Sequence, residues 1–345
     1  MIKRIGSDFF YKESSDNTLA WAKEYLDTAQ DGAVFIAHKL THARGRQGRT
    51  WHWAPGQLAL TFVLKPTFCP NEDDLIKLSM ALACGIYEPL TQYGVTLKWP
   101  NDLVIDQKKV GGMLMELVWE SNKLRGIIFA FGLNVNNTFE PGHELTKLAT
   151  SLWEATPPPT LQLFDPSRHP AFALPATADS SGQAGEKKAA VKQLLESSSS
   201  QKIYHVENCE TPQTPPVLPD SSASSKLKAF PACPEEPDEA LQRQASRRVE
   251  GPITHEPFNI PALQETILTS LDSWYQAWYS RSYDHIFATW VAAQSCLGKE
   301  IKVHKKDGST ITGIAHHLLP NGTLSLLVDN QEMLLSFHDV DFLTI

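Results

Sequence analysis

The sequence predicts an α/β (α+β) protein in which a block of mixed strands and helices is followed by a small all-β unit. Three observations carry this expectation. Strand-like and helix-like patterns alternate from residue 1 to about residue 155. A long amphipathic stretch follows Phe258. The C-terminal stretch holds short β-branched runs separated by Asp-Gly and Asn-Gly.

Taken in order, "NTLAWAKEYLDT" reads as an amphipathic helix with Ser15 or Asn17 available as N-cap. "AVFIAH" at Ala33–His38 and "LALTFVLK" at Leu58–Lys65 read as strands, being short and rich in β-branched or aromatic residues. "LIKLSMALACGIYEPL", Leu75 to Leu90, has helical spacing. "GVTLKW" and "GIIFAFGLNV" are further strands, and between them "LKWPNDLVIDQKKVGGMLMEL" reads as two hairpins. Residues 156–256 carry 14 of the 23 prolines, none of the nine tryptophans and no sustained period. Such a segment cannot bury enough apolar area to offset its ordering entropy, so it is expected to be a disordered insertion. "IPALQETILTSLDSWYQAWYS" restores a helix, with Leu263, Ile267, Leu271, Trp274 and Trp278 on one stripe. "EIKVH", "STITGIAHHL", "GTLSLLV" and "EMLLSF" are four strand signals, expected to form an SH3-like barrel or curled sheet.

Composition narrows the function. The net charge of -8 suits a polyanion binder poorly, because nucleic-acid affinity rests on many Lys/Arg–phosphate contacts. The five cysteines are scattered without a C-x-x-C, which argues against a disulfide framework or zinc site and fits a reducing compartment. The first residues have no apolar core of signal-peptide length, and no window approaches a membrane span. A cytoplasmic protein is expected.

Two constellations carry chemistry. In "THARGRQGRTW" the glycines Gly45 and Gly48 let backbone N–H groups approach an anion, and Arg44, Arg46 and Arg49 offer forked donors to phosphate or carboxylate. The residues leave a solvated charged loop and an AT-hook-like arm open beside the phosphate-loop reading; no P-loop signature occurs. In the second constellation Lys98, Asp102 and Lys109 sit at strand ends where they can converge, while Gly111 and Gly112 mark a close approach of backbone or ligand. Asp102 read alone is equally an Asx-turn residue, Lys109 a solvated lysine, and Asn134 and Asn136 turn residues or ligands.

In order, "SDNTLAWAK", "RGRQGRTW", "KWPNDL", "KVGGMLMEL" and "GLNVN" resemble the catalytic domain of biotin protein ligase, also called holocarboxylase synthetase, and "LGKEIKV" with "ITGIA" and "NGTLSLLV" resembles that family's small C-terminal domain. The resemblance covers residues 1–155 and 257–345. It implies a class II synthetase-like catalytic domain with a mixed central sheet over residues 1–155 plus 257–295, the insertion at 156–256, and an SH3-like β domain at 296–345. It also implies that MgATP activates biotin as biotinyl-5′-AMP, which then modifies a lysine of a biotin carboxyl carrier protein such as that of acetyl-CoA carboxylase. Arg46, Lys109, Asp102 and Lys98 match positions implied to be catalytic. Ser15, Asn17, Arg44, Gly45, Gly48, Arg49, Trp51, Gly111, Gly112 and Asn134 match positions implied to hold biotin or nucleotide, with Asn134 near the Mg²⁺–phosphate group. A monomer or homodimer is implied. Because the first motif begins within 20 residues of Met1, no winged helix and no operator binding are expected.

Three residues depart from the family pattern. Asp16 stands where Thr is usual, Leu40 where Gln is usual, and Ala43 where Gly is usual. Two alternatives stay open on these grounds: a related acyl-adenylate transferase acting on lipoate or octanoate, and a catalytically weakened binding protein of the same fold.

Overall fold

The computed structural model describes residues 4–140, 142, 144–155 and 257–345. The expected disorder of 156–256 falls outside the described residues.

The chain forms β1 (Phe9–Ser15), α1 (Thr18–Glu24), β2 (Val34–Leu40), β3 (Gln57–Leu64), α2 (Glu72–Tyr87), β4 (Thr96–Lys98), β5 (Asp102–Ile105), β6 (Lys108–Glu120) and β7 (Lys123–Asn134). Two single-turn helices follow, α3 (Leu145–Leu148) and α4 (Leu152–Ala155). Then come α5 (Ile260–Tyr279), α6 (Tyr283–Ala292), β8 (Glu300–Lys305), β9 (Thr310–Leu318), β10 (Leu324–Val328), β11 (Gln331–Leu335) and β12 (Val340–Thr344). Seven strands make a mixed sheet in the order β1-β2-β3-β7-β6-β5-β4, and five make an antiparallel sheet in the order β11-β10-β9-β8-β12.

β1 and β2 run parallel, joined through α1; parallel neighbours need such a crossover. The remaining neighbours of the large sheet are antiparallel. β3 is buried along its whole length, as an inner strand covered on both faces should be. α2 begins with a capping box: Asn71 Oδ1 accepts from Asp74 N at 2.8 Å, and Asp74 Oδ2 accepts from Asn71 N at 3.0 Å. α2 packs on α5 so closely that a Cβ on Gly85 would lie 2.9 Å from Leu271 Cα. All five members of the expected α5 stripe are buried. One continuous apolar cluster joins Leu60, Phe129 and Trp274 to Ile301, Val303 and Leu326 of the second sheet, so the two sheets share a core.

The strand at Phe9–Ser15, the helix at Tyr283–Ala292 and the final strand at Val340–Thr344 lie beyond the elements read from the sequence. β1 is an exposed edge strand with charged residues and no apolar alternation, so period 2 is absent from it. No helix among the described residues is long and apolar enough to cross a membrane.

Candidate functional site

A cavity of about 150 Å³ opens over the large sheet, walled by α1, the Arg-Gly loop, β6, β7 and the end of β12. Its floor follows from the strands. Gly112 on β6 pairs with Gly132 on β7, and both lack side chains where others intrude. A Cβ on Gly132 would lie 3.0 Å from the Trp51 indole, and one on Gly112 would lie 3.3 Å from Lys109 Nζ. The glycine pair therefore makes room for an aromatic wall and a cation. Gly111 serves packing instead, since a Cβ there would meet Gly132 O at 2.8 Å.

The Arg-Gly loop is folded. Gly45 N donates to Arg49 O at 2.8 Å, Arg49 N to Arg46 O at 3.2 Å, and Trp51 N to Ala43 O at 2.9 Å. Gly48 at the turn has φ +72, a conformation glycine adopts without strain. The three arginines diverge. Arg44 is exposed. Arg49 forms an ion pair with Asp341 and lies over the Phe342 ring. Arg46 turns inward, donating to Asn101 Oδ1 at 2.9 Å and to Phe337 O at 2.9 Å. Burial pulls the Arg46 pKa down, yet a guanidinium stays charged at neutral pH because it starts far above it.

On the opposite wall Lys109 Nζ lies 2.6 Å from Asp102 Oδ1 and 6.0 Å from the Trp51 ring centre. Cations thus reach the cavity from different elements, Arg46 turned inward from the loop beside Arg44 and Arg49, and Lys109 from β6. The expected convergence is partial. Lys98 pairs with Asp102 across β4 and β5, but its Nζ donates to Leu343 O at 3.3 Å and it does not line the cavity. Burial lowers the Lys98 pKa, opposed by the charge of Asp102.

Asn17, Arg44, Gly45, Arg46, Arg49, Trp51, Asp102, Lys109 and Gly112 line the cavity; Ser15, Gly48, Gly111 and Asn134 do not. Asn17 caps α1, its Oδ1 accepting from Leu19 N at 2.9 Å. Asn134 is buried with both ends used: Oδ1 accepts from Gln57 Nε2 at 2.9 Å and Nδ2 donates to Thr150 O at 2.9 Å. It lies behind the cavity wall rather than on it. Asp102 Oδ1 is engaged with Lys109 Nζ at 2.6 Å.

Three contributors were not legible in the sequence. Asn101, inside the "WPND" run, holds Arg46 through Oδ1 and donates to Met113 O at 2.9 Å through Nδ2. Phe337 and Asp341 reach the loop from the C-terminal sheet; nothing local in "FHDVDF" announces this. Asp16, one of the departures, accepts from the Thr41 hydroxyl, which holds its carboxyl below the usual range. It also accepts through its backbone from His42 N at 2.9 Å, so it ties down the start of the loop. Leu40 and Ala43, the other two, are buried with Ala37 and Ala59, and both line the cavity. A second, apolar cavity of about 380 Å³ between α2 and β6 meets the first at Arg46, Trp99, Pro100 and Asn101.

Residues 9–134 match the model of the biotin/lipoate A/B protein ligase family. Over 157 residues, 44% of this chain and 48% of its relative, the sequence is 32% identical to a bifunctional ligase/repressor BirA of Bacillus spizizenii. Over 133 residues, 37% of this chain and 55% of its relative, it is 27% identical to a biotin–[acetyl-CoA-carboxylase] ligase of Paracoccus denitrificans. The chain spans about half the length of the curated relatives it matches. Its structure is similar to that of a biotin protein ligase from Aquifex aeolicus in complex with biotin and ATP, with TM-score 0.59, 18% identity and 98% coverage of each chain. At this identity the likeness speaks to the fold.

Proposed function

We propose, for a chain that carries a biotin/lipoate A/B protein ligase family domain, that it activates biotin with ATP and transfers the biotinyl group to a lysine of a carrier protein. One observation supports this above the rest: Arg46 and Lys109, each held by a partner side chain, meet at one small cavity walled by Trp51. Activation joins a biotin carboxylate oxygen to the α-phosphorus while the bond to pyrophosphate breaks. Negative charge grows on the α-phosphoryl oxygens, and donors aimed there in advance stabilise it. Arg46 is pre-aimed by Asn101 and Phe337 O, and Lys109 by Asp102. In the second half the ε-amine of the carrier lysine attacks the anhydride carbonyl and AMP leaves. Asp102, whose Oδ1 lies 2.6 Å from Lys109 Nζ at the cavity wall, is placed to orient or deprotonate the incoming amine. Mg²⁺ would accompany the nucleotide phosphates and neutralise part of their charge. A biotin carboxyl carrier protein is the partner that fits this reaction.

The apolar wall of Leu40, Ala43 and Ala59 favours a second reading, an acid less polar than biotin such as lipoate or octanoate. ATP–pyrophosphate exchange driven by biotin, lipoate and octanoate in turn separates the two. Exchange with biotin at the highest kcat/KM supports the first reading, exchange with lipoate or octanoate alone supports the second, and exchange with none of them removes both.

A further inference from the structure

The C-terminal sheet carries a cluster that adenylation does not use. His316 and His317 lie on β9 and Glu332 on β11, and one ligand atom from each falls within 4.8 Å of the other two. None of the three lines either cavity. Successive side chains of a regular strand point to opposite faces, which would separate the two imidazoles. β9 is irregular here: His317 pairs with Ser325 and Ala315 with Leu326, so His316 is the extra residue of a bulge. Bulges re-aim side chains. Here the two rings meet, with His316 Nδ1 and His317 Nδ1 3.1 Å apart. Glu332 reaches the same spot across β10. Its Oε1 lies 3.4 Å from His317 Nε2 and accepts from the buried Ser325 hydroxyl at 2.6 Å.

We propose that His316, His317 and Glu332 form a binding site for a divalent transition-metal ion, with Zn²⁺ as the reference case. Zn²⁺ binds imidazole nitrogen and carboxylate oxygen at about 2.0–2.2 Å, so two donors of a tetrahedral ion stand roughly 3.3 Å apart. The spacing of the two histidine nitrogens matches. Two imidazoles and one carboxylate suit Zn²⁺, Ni²⁺ or Cu²⁺; Mg²⁺ prefers oxygen throughout. Glu332 must turn from His317 Nε2 toward the shared point, which its half-exposed side chain permits. Ser325 then acts as an outer partner that fixes the carboxylate. Three protein ligands leave one position for water. A bound ion would tie β9 to the edge strand β11.

The test uses the full chain, stripped with chelator and then titrated. Zn²⁺ is measured by competition with a chromophoric chelator, and Co²⁺ by its visible absorption. The expected result is saturable binding in which His316→Gln with His317→Gln removes one equivalent. Glu332→Gln should weaken binding by about 10–100-fold, on the scale of losing an orienting partner or more. The glutamine variants keep size and polarity, and circular dichroism checks their fold. In the unsubstituted protein, Zn²⁺ should also shift the ¹⁵N resonances of these two histidines. The proposal is overturned if the double variant binds Zn²⁺ with unchanged affinity and stoichiometry. It is equally overturned if the unsubstituted protein binds none below millimolar concentration, or if those two ¹⁵N resonances do not move.

Discussion

The Arg46 guanidinium is held at two places distant in sequence, Asn101 and the carbonyl of Phe337. Losing one preorganised donor to a transition-state charge costs about 10²–10³ in rate. Arg46→Ala and Lys109→Ala are each expected to lower kcat for biotin-dependent pyrophosphate exchange by that factor, with unchanged unfolding midpoints. Asn101→Ala should act through Arg46, lowering kcat while leaving the KM for biotin nearly unchanged; an unaltered kcat would remove Asn101 from the site. Gly132→Ala places a methyl 3.0 Å from the Trp51 ring, so it should displace the indole and raise the KM for biotin, read in the same assay. Lys109, Asp102 and Gly112 were legible because they stand in short motifs with turn and glycine punctuation. The arrangement of Asn101 was not, because a hydrogen bond to a residue 55 positions away leaves no local pattern. Phe337 contributes only a backbone carbonyl, which any residue offers.

Helices α2 and α5 and strands β3 and β7 were legible from period and composition. β1 was not, because it is an exposed edge strand without apolar alternation, and β12 was not, because its five residues bury only Val340 and Leu343, three positions apart, which is not a period of 2. Asp74 shows what ties elements together beyond periodicity. Its side chain closes the α2 capping box by accepting from Asn71 N at 3.0 Å, accepts from Arg281 Nη1 at 3.1 Å and from the Tyr283 hydroxyl, and its backbone carbonyl accepts from Trp278 Nε1 at 2.6 Å. Hydrogen bonds to a charged group are worth about 1.5–3 kcal/mol, and the cap about 1 more. Asp74→Ala should therefore lower unfolding free energy in urea by about 2–4 kcal/mol; a change under about 0.5 would mean that the helices hold together without it. The Arg-Gly loop is the second element whose behaviour can be read. Its exposed Gly48 and its latch, Arg49 on Asp341, suit a segment that opens and closes. Hydrogen exchange at Thr41–Arg49 is expected to slow when biotin and ATP are added. Equal protection with and without ligand would count against a phosphate-binding loop.

At the scale of the molecule, the two flanks of residues 156–256 meet at one place. Trp153 N donates to Val135 O at 2.9 Å, and the Asn136 side chain brackets Phe258, accepting from its N at 2.9 Å and donating to its O at 2.8 Å. Loop-closure entropy rises by only about 0.6 kcal/mol per doubling of length, so a long stretch between such flanks burdens folding little. Replacing residues 160–252 by a short Gly/Ser linker is expected to preserve exchange activity and thermal stability. A folded but inactive deletion would give the stretch a substrate or carrier contact. The central claim joins cavity, cations and carrier, and the mass of a carrier domain after incubation with the protein, ATP, Mg²⁺ and biotin tests it most directly. The expected result is one added biotinyl group on the carrier lysine, strongly diminished with Lys109→Ala and absent without ATP. A carrier of unchanged mass beside folded protein would contradict the claim, as would equal modification by Lys109→Ala.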